Sequence, residues 1–154
     1  MSKVFEQAIA IQAKPQVVEH CLTDQTLMHR WLNPLLSCEA IGEWSTELNS
    51  RSRFKINLPF WQPALESKVI AREDGLIMWE FQGFFQGRDR WECQPIPEGT
   101  LLVNRFEFTI PNPLVSFGFN LFAASLTKKD MEAQLKRVKI IAEVLESSKS
   151  NHDD

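Results

Sequence analysis

The chain has 154 residues, with 17 Lys and Arg against 20 Asp and Glu and a formal net charge of −3. That length suits one domain, and the charge lacks the basic excess that a nucleic-acid partner demands. Eleven Phe and five Trp with no Tyr supply apolar rings but no phenolic hydroxyls.

Residues 3–12 alternate, with Val4, Ala8 and Ala10 on one parity and Phe5, Ile9 and Ile11 on the other. This predicts a strand buried at least partly on both faces. Pro15 suits a helix first turn, and Val17, Val18, Cys21 and Leu22 form a short helical stripe. Thr23-Asp24 ends that helix and offers an N-cap for a second one through Leu27, Met28 and Trp31, stopped by Asn33-Pro34. Six strands then follow, over 36–41, 53–58, 64–72, 76–82, 88–94 and 100–110, separated by Gly, Pro and Asp-rich turns. Beyond Pro111-Asn112-Pro113 the period lengthens. Leu114, Phe117, Leu121, Ala124, Met131, Leu135, Val138, Ala142 and Leu145 recur every three or four residues. This predicts one long amphipathic helix or two nearly collinear ones, because Thr127 with Asp130 could cap a restart. Residues 1–147 read as a single domain, and 148–154 as a polar, disordered tail. Short turns between neighbouring strands imply an antiparallel meander, and only the last helix is large enough to cover its apolar face.

Three cysteines, Cys21, Cys38 and Cys93, lack metal or redox spacing and read as free, buried thiols of a reducing compartment. The start of the chain has no apolar h-region, and no apolar run approaches a membrane span. The expectation is a cytoplasmic protein with no integral membrane segment and no nucleic-acid partner. The cations Lys128, Lys129, Lys136, Arg137 and Lys139 are interleaved with Asp130, Glu132 and Glu143, as on a solvated helix face.

The order β-α-α-β6-α, with GRDRWECQPIPEGT at 87–100, NRFEF at 104–108 and NLFAASLTKKDM at 120–131, resembles the helix-grip fold of the SRPBCC superfamily. That superfamily comprises START-like lipid carriers, birch-pollen-type allergens and the polyketide cyclase and dehydratase branch. The likeness spans roughly residues 3–147 and is to uncharacterised bacterial members, cyanobacterial ones in particular. It implies an α+β fold in which a curved antiparallel sheet wraps a long C-terminal helix around an internal cavity. Its members bind lipids, sterols, polyketides and plant hormones, and the fold alone does not choose among them.

Alternate connections of a meander lie at one end of the sheet, so Phe60, Trp61, Phe84 and Phe85 should gather at one rim with Phe117. They plug the core, gate a ligand entrance or form a protein or membrane docking patch. On the last two strands Arg88, Arg90 and Glu92 face Arg105 and Glu107 in the expectation of cross-strand ion pairs on the solvent side. The opposite parity, with Asp89, Trp91 and Cys93 beside Asn104, Phe106 and Phe108, is then inward. Asp89 would be a carboxylic acid in an aromatic surround, a weak candidate for acid–base work. Histidines are few: His152 lies in the tail, and His20 and His29 read as helical surface residues. No metal-binding spacing occurs and no cofactor is implied.

These readings favour binding or transport of a small hydrophobic ligand, such as a lipid, polyketide or isoprenoid-like molecule. Phe54, Ile56, Trp79, Phe81, Trp91, Asn104, Phe106 and Phe108 would line its cavity from the sheet, and Phe117, Leu121 and Phe122 from the helix. Two alternatives stay open. One is a cyclase or dehydratase-like enzyme on a polyketide-type substrate; the other is a non-catalytic module that docks a protein partner.

Overall fold

Period-two alternation organises most of the chain into strands, and the long final stripe winds into a helix. The computed structural model describes residues 2–57, 62–83, 86–109 and 113–152, with side chains over 128–149 in the last segment. β1 (Ser2–Ile11) leads to α1 (Pro15–Thr23) and α2 (Gln25–Trp31). Then come β2 (Leu36–Ala40), β3 (Arg51–Ile56), β4 (Ala64–Glu73), β5 (Leu76–Gln82), β6 (Gln86–Ile96), β7 (Gly99–Thr109) and α3 (Pro113–His152). The strands form one sheet in the order β1-β7-β6-β5-β4-β3-β2. Every neighbouring pair is antiparallel. This is the helix-grip architecture, β-α-α-β6-α.

One face of the sheet is covered by helices. Val17, Val18, Cys21 and Leu22 of α1, Met28 and Trp31 of α2, and Leu135, Val138, Ile141 and Ala142 of α3 share a core with Ile11, Ile77, Trp91 and Leu102. Pro15 opens α1 without needing its missing N–H. Asp24 caps α2, its Oδ1 accepting the Leu27 N–H at 2.9 Å.

Several features depart from the sequence expectation. β1 is buried on one parity only: Glu6, Ala8 and Ala10 are exposed and Val4 is 45% exposed, because the helices cover just one face. α3 is one continuous helix, the first of the two forms the stripe allowed, but it runs on through Ser148 to His152, past the end of the apolar stripe. Asp130 caps no restart there. Its carboxylate instead accepts from Asn33 Nδ2 at 3.0 Å and from Gln134 Nε2 at 3.0 Å. β4 carries a bulge between Val69 and Ala71, which shifts the inward parity and turns Arg72 to the inner face opposite Ile77.

The outward cations pair differently from the expectation. Arg90 stands opposite Arg105 in the β6–β7 register, so the two strands cannot neutralise each other there. Arg88 pairs with Glu80 of β5 at 3.4 Å, Arg105 with Glu6 of β1 at 3.3 Å, and Arg90 with Glu92 of its own strand at 2.6 Å.

Candidate functional site

The inner face of β5, β6, β7 and β1 is built mainly from rings. Register places Trp79 opposite Asp89, Asp89 opposite Phe106, and Phe106 opposite Phe5. Phe54 meets Phe81 edge-on with ring centroids 5.2 Å apart, and Phe81 meets Phe106 edge-on at 6.5 Å. Phe106 stacks on Phe108 at 5.1 Å, and Phe108 on Phe5 at 5.9 Å. The result is a ladder of five rings crossing the sheet from β3 to β1, in the geometries that ring quadrupoles favour. Gly87 is required where the ladder crosses β6. A Cβ there would lie 2.7 Å from Glu107 O and 3.0 Å from Phe108 Cβ.

Asp89 stands beside this ladder. Its Oδ1 accepts from Asn104 Nδ2 at 2.6 Å and its Oδ2 from Trp91 Nε1 at 3.0 Å. Asn104 Nδ2 also donates to Arg90 O at 3.1 Å. Burial pushes the Asp89 carboxyl up from 3.8 to about 6, against the pull of the two hydrogen bonds, which favour the charged form. Trp91 is in turn held by Trp31 of α2, whose ring lies 5.2 Å away and whose Nε1 donates to Cys21 O at 2.8 Å. The helices therefore fix the indole that fixes the carboxylate.

Trp79, Phe81, Trp91, Asn104 and Phe108 are buried, and Phe54, Ile56, Asp89 and Phe106 are half-buried. The ring ladder and the Asp89 cluster bring these together, apart from Ile56, which lies at the β3 end opposite Leu36 of β2. Phe60, Trp61, Phe84 and Phe85 lie outside the described residues. So do the side chains of Phe117, Leu121 and Phe122. His20 and His29 are exposed, but His29 is no idle surface residue. Its Nε2 accepts the Cys38 N–H at 3.0 Å, which assigns the proton to Nδ1, 2.9 Å from Gln25 O.

Sequence reasoning also missed polar groups on the inner face. Ser52 and Ser67 are buried and hydrogen-bond each other through their hydroxyls. Gln7 reaches across to α3, donating to Lys128 O at 3.1 Å. Parity would have placed all three inward, but nothing in their residue type marks them. Cys21, Cys38 and Cys93 are free and buried, and desolvation pushes their thiols up to about 11, 12 and 12. They are poor nucleophiles. Grooves of about 380 and 280 Å³ lie mainly on the outer, charged side of the sheet, around Glu66 and Lys68 and around Arg88 and Glu107. Among the described residues no group of His, Cys, Asp and Glu could hold a metal ion. No helix among them is long and apolar enough to cross a membrane.

The family model for polyketide cyclase/dehydrase and lipid transport matches residues 2–143. The chain belongs to this family. Solved structures share the family fold at low identity. A Thermus thermophilus protein is 18% identical with a TM-score of 0.71, over 92% of this chain and 97% of its own. The Zhui aromatase/cyclase of a Streptomyces species is 14% identical with a TM-score of 0.74, over 93% and 94%. A Staphylococcus aureus protein of unknown function is 11% identical with a TM-score of 0.73, over 94% and 95%. At such identities the likeness is one of fold. No curated protein matches the sequence.

Proposed function

We propose that the chain binds a small hydrophobic molecule against the ring ladder of the inner face, with the polar end of the ligand at Asp89 and Asn104. The observation that supports this is a carboxylate set among aromatic rings, held by Asn104 and Trp91 yet still half-buried rather than sealed. A purely structural core gains nothing from such a group, because burying a charge is costly. Ligand sites, by contrast, combine an apolar lining with a few placed polar groups. The family covers lipid transport and polyketide chemistry, whose molecules are largely hydrophobic. The connections carrying Phe60, Trp61, Phe84 and Phe85 would form the entrance, and Phe117, Leu121 and Phe122 would supply the helix side. The test is native mass spectrometry of protein purified from its own host. A stoichiometric hydrophobic passenger is expected. A protein that is empty and also takes up no apolar probe such as naphthalene overturns the reading.

A second reading is favoured by one observation. A carboxyl with a pKa of about 6 is matched to proton transfer near neutral pH. Asp89 could then act as the acid or base of a cyclase or dehydrase-like step, the chemistry in the family's description. Loss of turnover of the released passenger in Asp89→Asn, with its binding retained, is expected on that reading. Unchanged turnover excludes it.

A further inference from the structure

The Asp89 cluster presents acceptors only, and this selects among hydrophobic ligands. Asn104 uses both amide hydrogens, one to Asp89 Oδ1 and one to Arg90 O. The short contact to a carboxylate fixes which end of the amide is nitrogen, since an oxygen there would face oxygen. Asn104 Oδ1 is left with no donor among the described residues. Trp91 gives its single N–H to Asp89 Oδ2. Among the described residues each carboxylate oxygen thus takes one donor and keeps a lone pair, and Asn104 and Trp91 have no donor left for a ligand.

Nor, among the described residues, does any strand beside Asp89 turn a cation toward its carboxylate. The described strands turn three charged side chains to the inner face. Lys3 lies on edge strand β1, two strands from Asp89. Arg72 is held at 2.7 Å by Glu19 of α1 and also donates to Glu73 O and Leu76 O. The third is Asp89 itself. The segments 58–61, 84–85 and 110–127 contain no charged residue, so they bring no counter-charge wherever they lie. A ligand carboxylate or phosphate beside Asp89 would meet a like charge that no neighbouring strand opposes with a cation.

We propose that this face selects an amphiphile whose polar end is a hydrogen-bond donor, such as an alcohol or phenol, and rejects carboxylate-headed lipids. This rests on the binding function proposed above and narrows it.

The test uses the wild-type protein and four probes on one ring system at pH 7.5: naphthalene, 2-naphthol, 2-methoxynaphthalene and 2-naphthoate. Binding is read by calorimetry and by quenching of tryptophan fluorescence. 2-Naphthol is expected to bind at least ~10-fold tighter than the methyl ether, which keeps the oxygen but loses the donor, and than the carboxylate. In Asp89→Asn the penalty on 2-naphthoate should shrink to within roughly threefold, since the amide brings a donor and removes the charge. The inference is overturned if naphthalene binds but 2-naphthol gains nothing over its ether, or if 2-naphthoate binds as tightly as 2-naphthol. If none of the four binds, the proposed binding function fails and the selectivity falls with it.

Discussion

Asp89 contributes to stability with a sign opposite to that of most carboxylates. Its folded pKa of about 6 lies above the ordinary 3.8, so the native state holds the proton more tightly than the unfolded chain. The contribution is fully present below about pH 4 and is lost as pH rises through 6. The gap corresponds to ~3 kcal/mol at most, because the group keeps some solvent contact. Two outcomes are expected. The Asp89 carboxyl carbon should titrate in NMR with a midpoint near 6, and the Trp91 indole Nε1 proton should shift in step. The stability difference between wild type and Asp89→Asn should move against the wild type between pH 4 and pH 7. A midpoint near 4 would mean that water solvates the carboxylate freely. Strand parity in the sequence placed Asp89 and Asn104 on one face, because period two fixes direction. It could not show that they touch: that depends on register between strands fifteen residues apart in sequence.

Elements are tied together by side chains whose partners lie far away in sequence, and here the sequence was least legible. β2 is an edge strand, whose unpaired backbone groups invite association. α2 closes this edge at Cys38: His29 Nε2 accepts the Cys38 N–H, and one turn earlier Gln25 Nε2 donates to Cys38 O at 3.1 Å. The two side chains stand in for a neighbouring strand. His29→Leu should cost about 1–2 kcal/mol in urea denaturation and speed hydrogen exchange at the Cys38 amide. If exchange is unchanged, water already serves that N–H. A histidine on a helix surface gives no sequence sign of this role, since its partner is a backbone amide. The β4–β5 hairpin is tied to α1 in a similar way. Glu19 accepts from Arg72 and, through its other oxygen, from the Gly75 N–H at 2.9 Å. Both side chains are less than a fifth exposed. Arg72→Met should therefore cost roughly 3 kcal/mol by stranding Glu19. Adding Glu19→Gln should recover much of that loss. Additive losses in the double variant would refute the coupling. The bulge that aims Arg72 inward adds one unpaired residue to a strand that otherwise alternates normally, so composition alone does not betray it.

Across the whole molecule, the element order and the helix-grip architecture were readable, because turn signals and changes of period are local properties of the chain. The distribution of work over the sheet was not. The fully buried cluster joins α1, α2 and the C-terminal half of α3 to Ile11, Ile77, Trp91 and Leu102. The ring ladder continues from it toward the end of the sheet where the β3–β4 and β5–β6 connections lie, and Phe54 and Phe106 there are only half-buried. On the proposed reading the two regions divide the work, with close contacts at one end and the half-buried rings Phe54 and Phe106 offered to a ligand at the other. Two substitutions separate them. Leu102 is completely buried, so Leu102→Ala should cost about 2–4 kcal/mol of unfolding free energy as a cavity opens among atoms that cannot all collapse. Phe106→Leu trims a ring from a half-buried position and should cost about 1 kcal/mol or less, while weakening 2-naphthol binding severalfold through loss of ring contact. The folded Leu102→Ala protein should keep wild-type affinity at temperatures well below its midpoint. If Phe106→Leu instead costs as much stability as Leu102→Ala and leaves affinity unchanged, the ladder is ordinary core and the ligand face lies elsewhere.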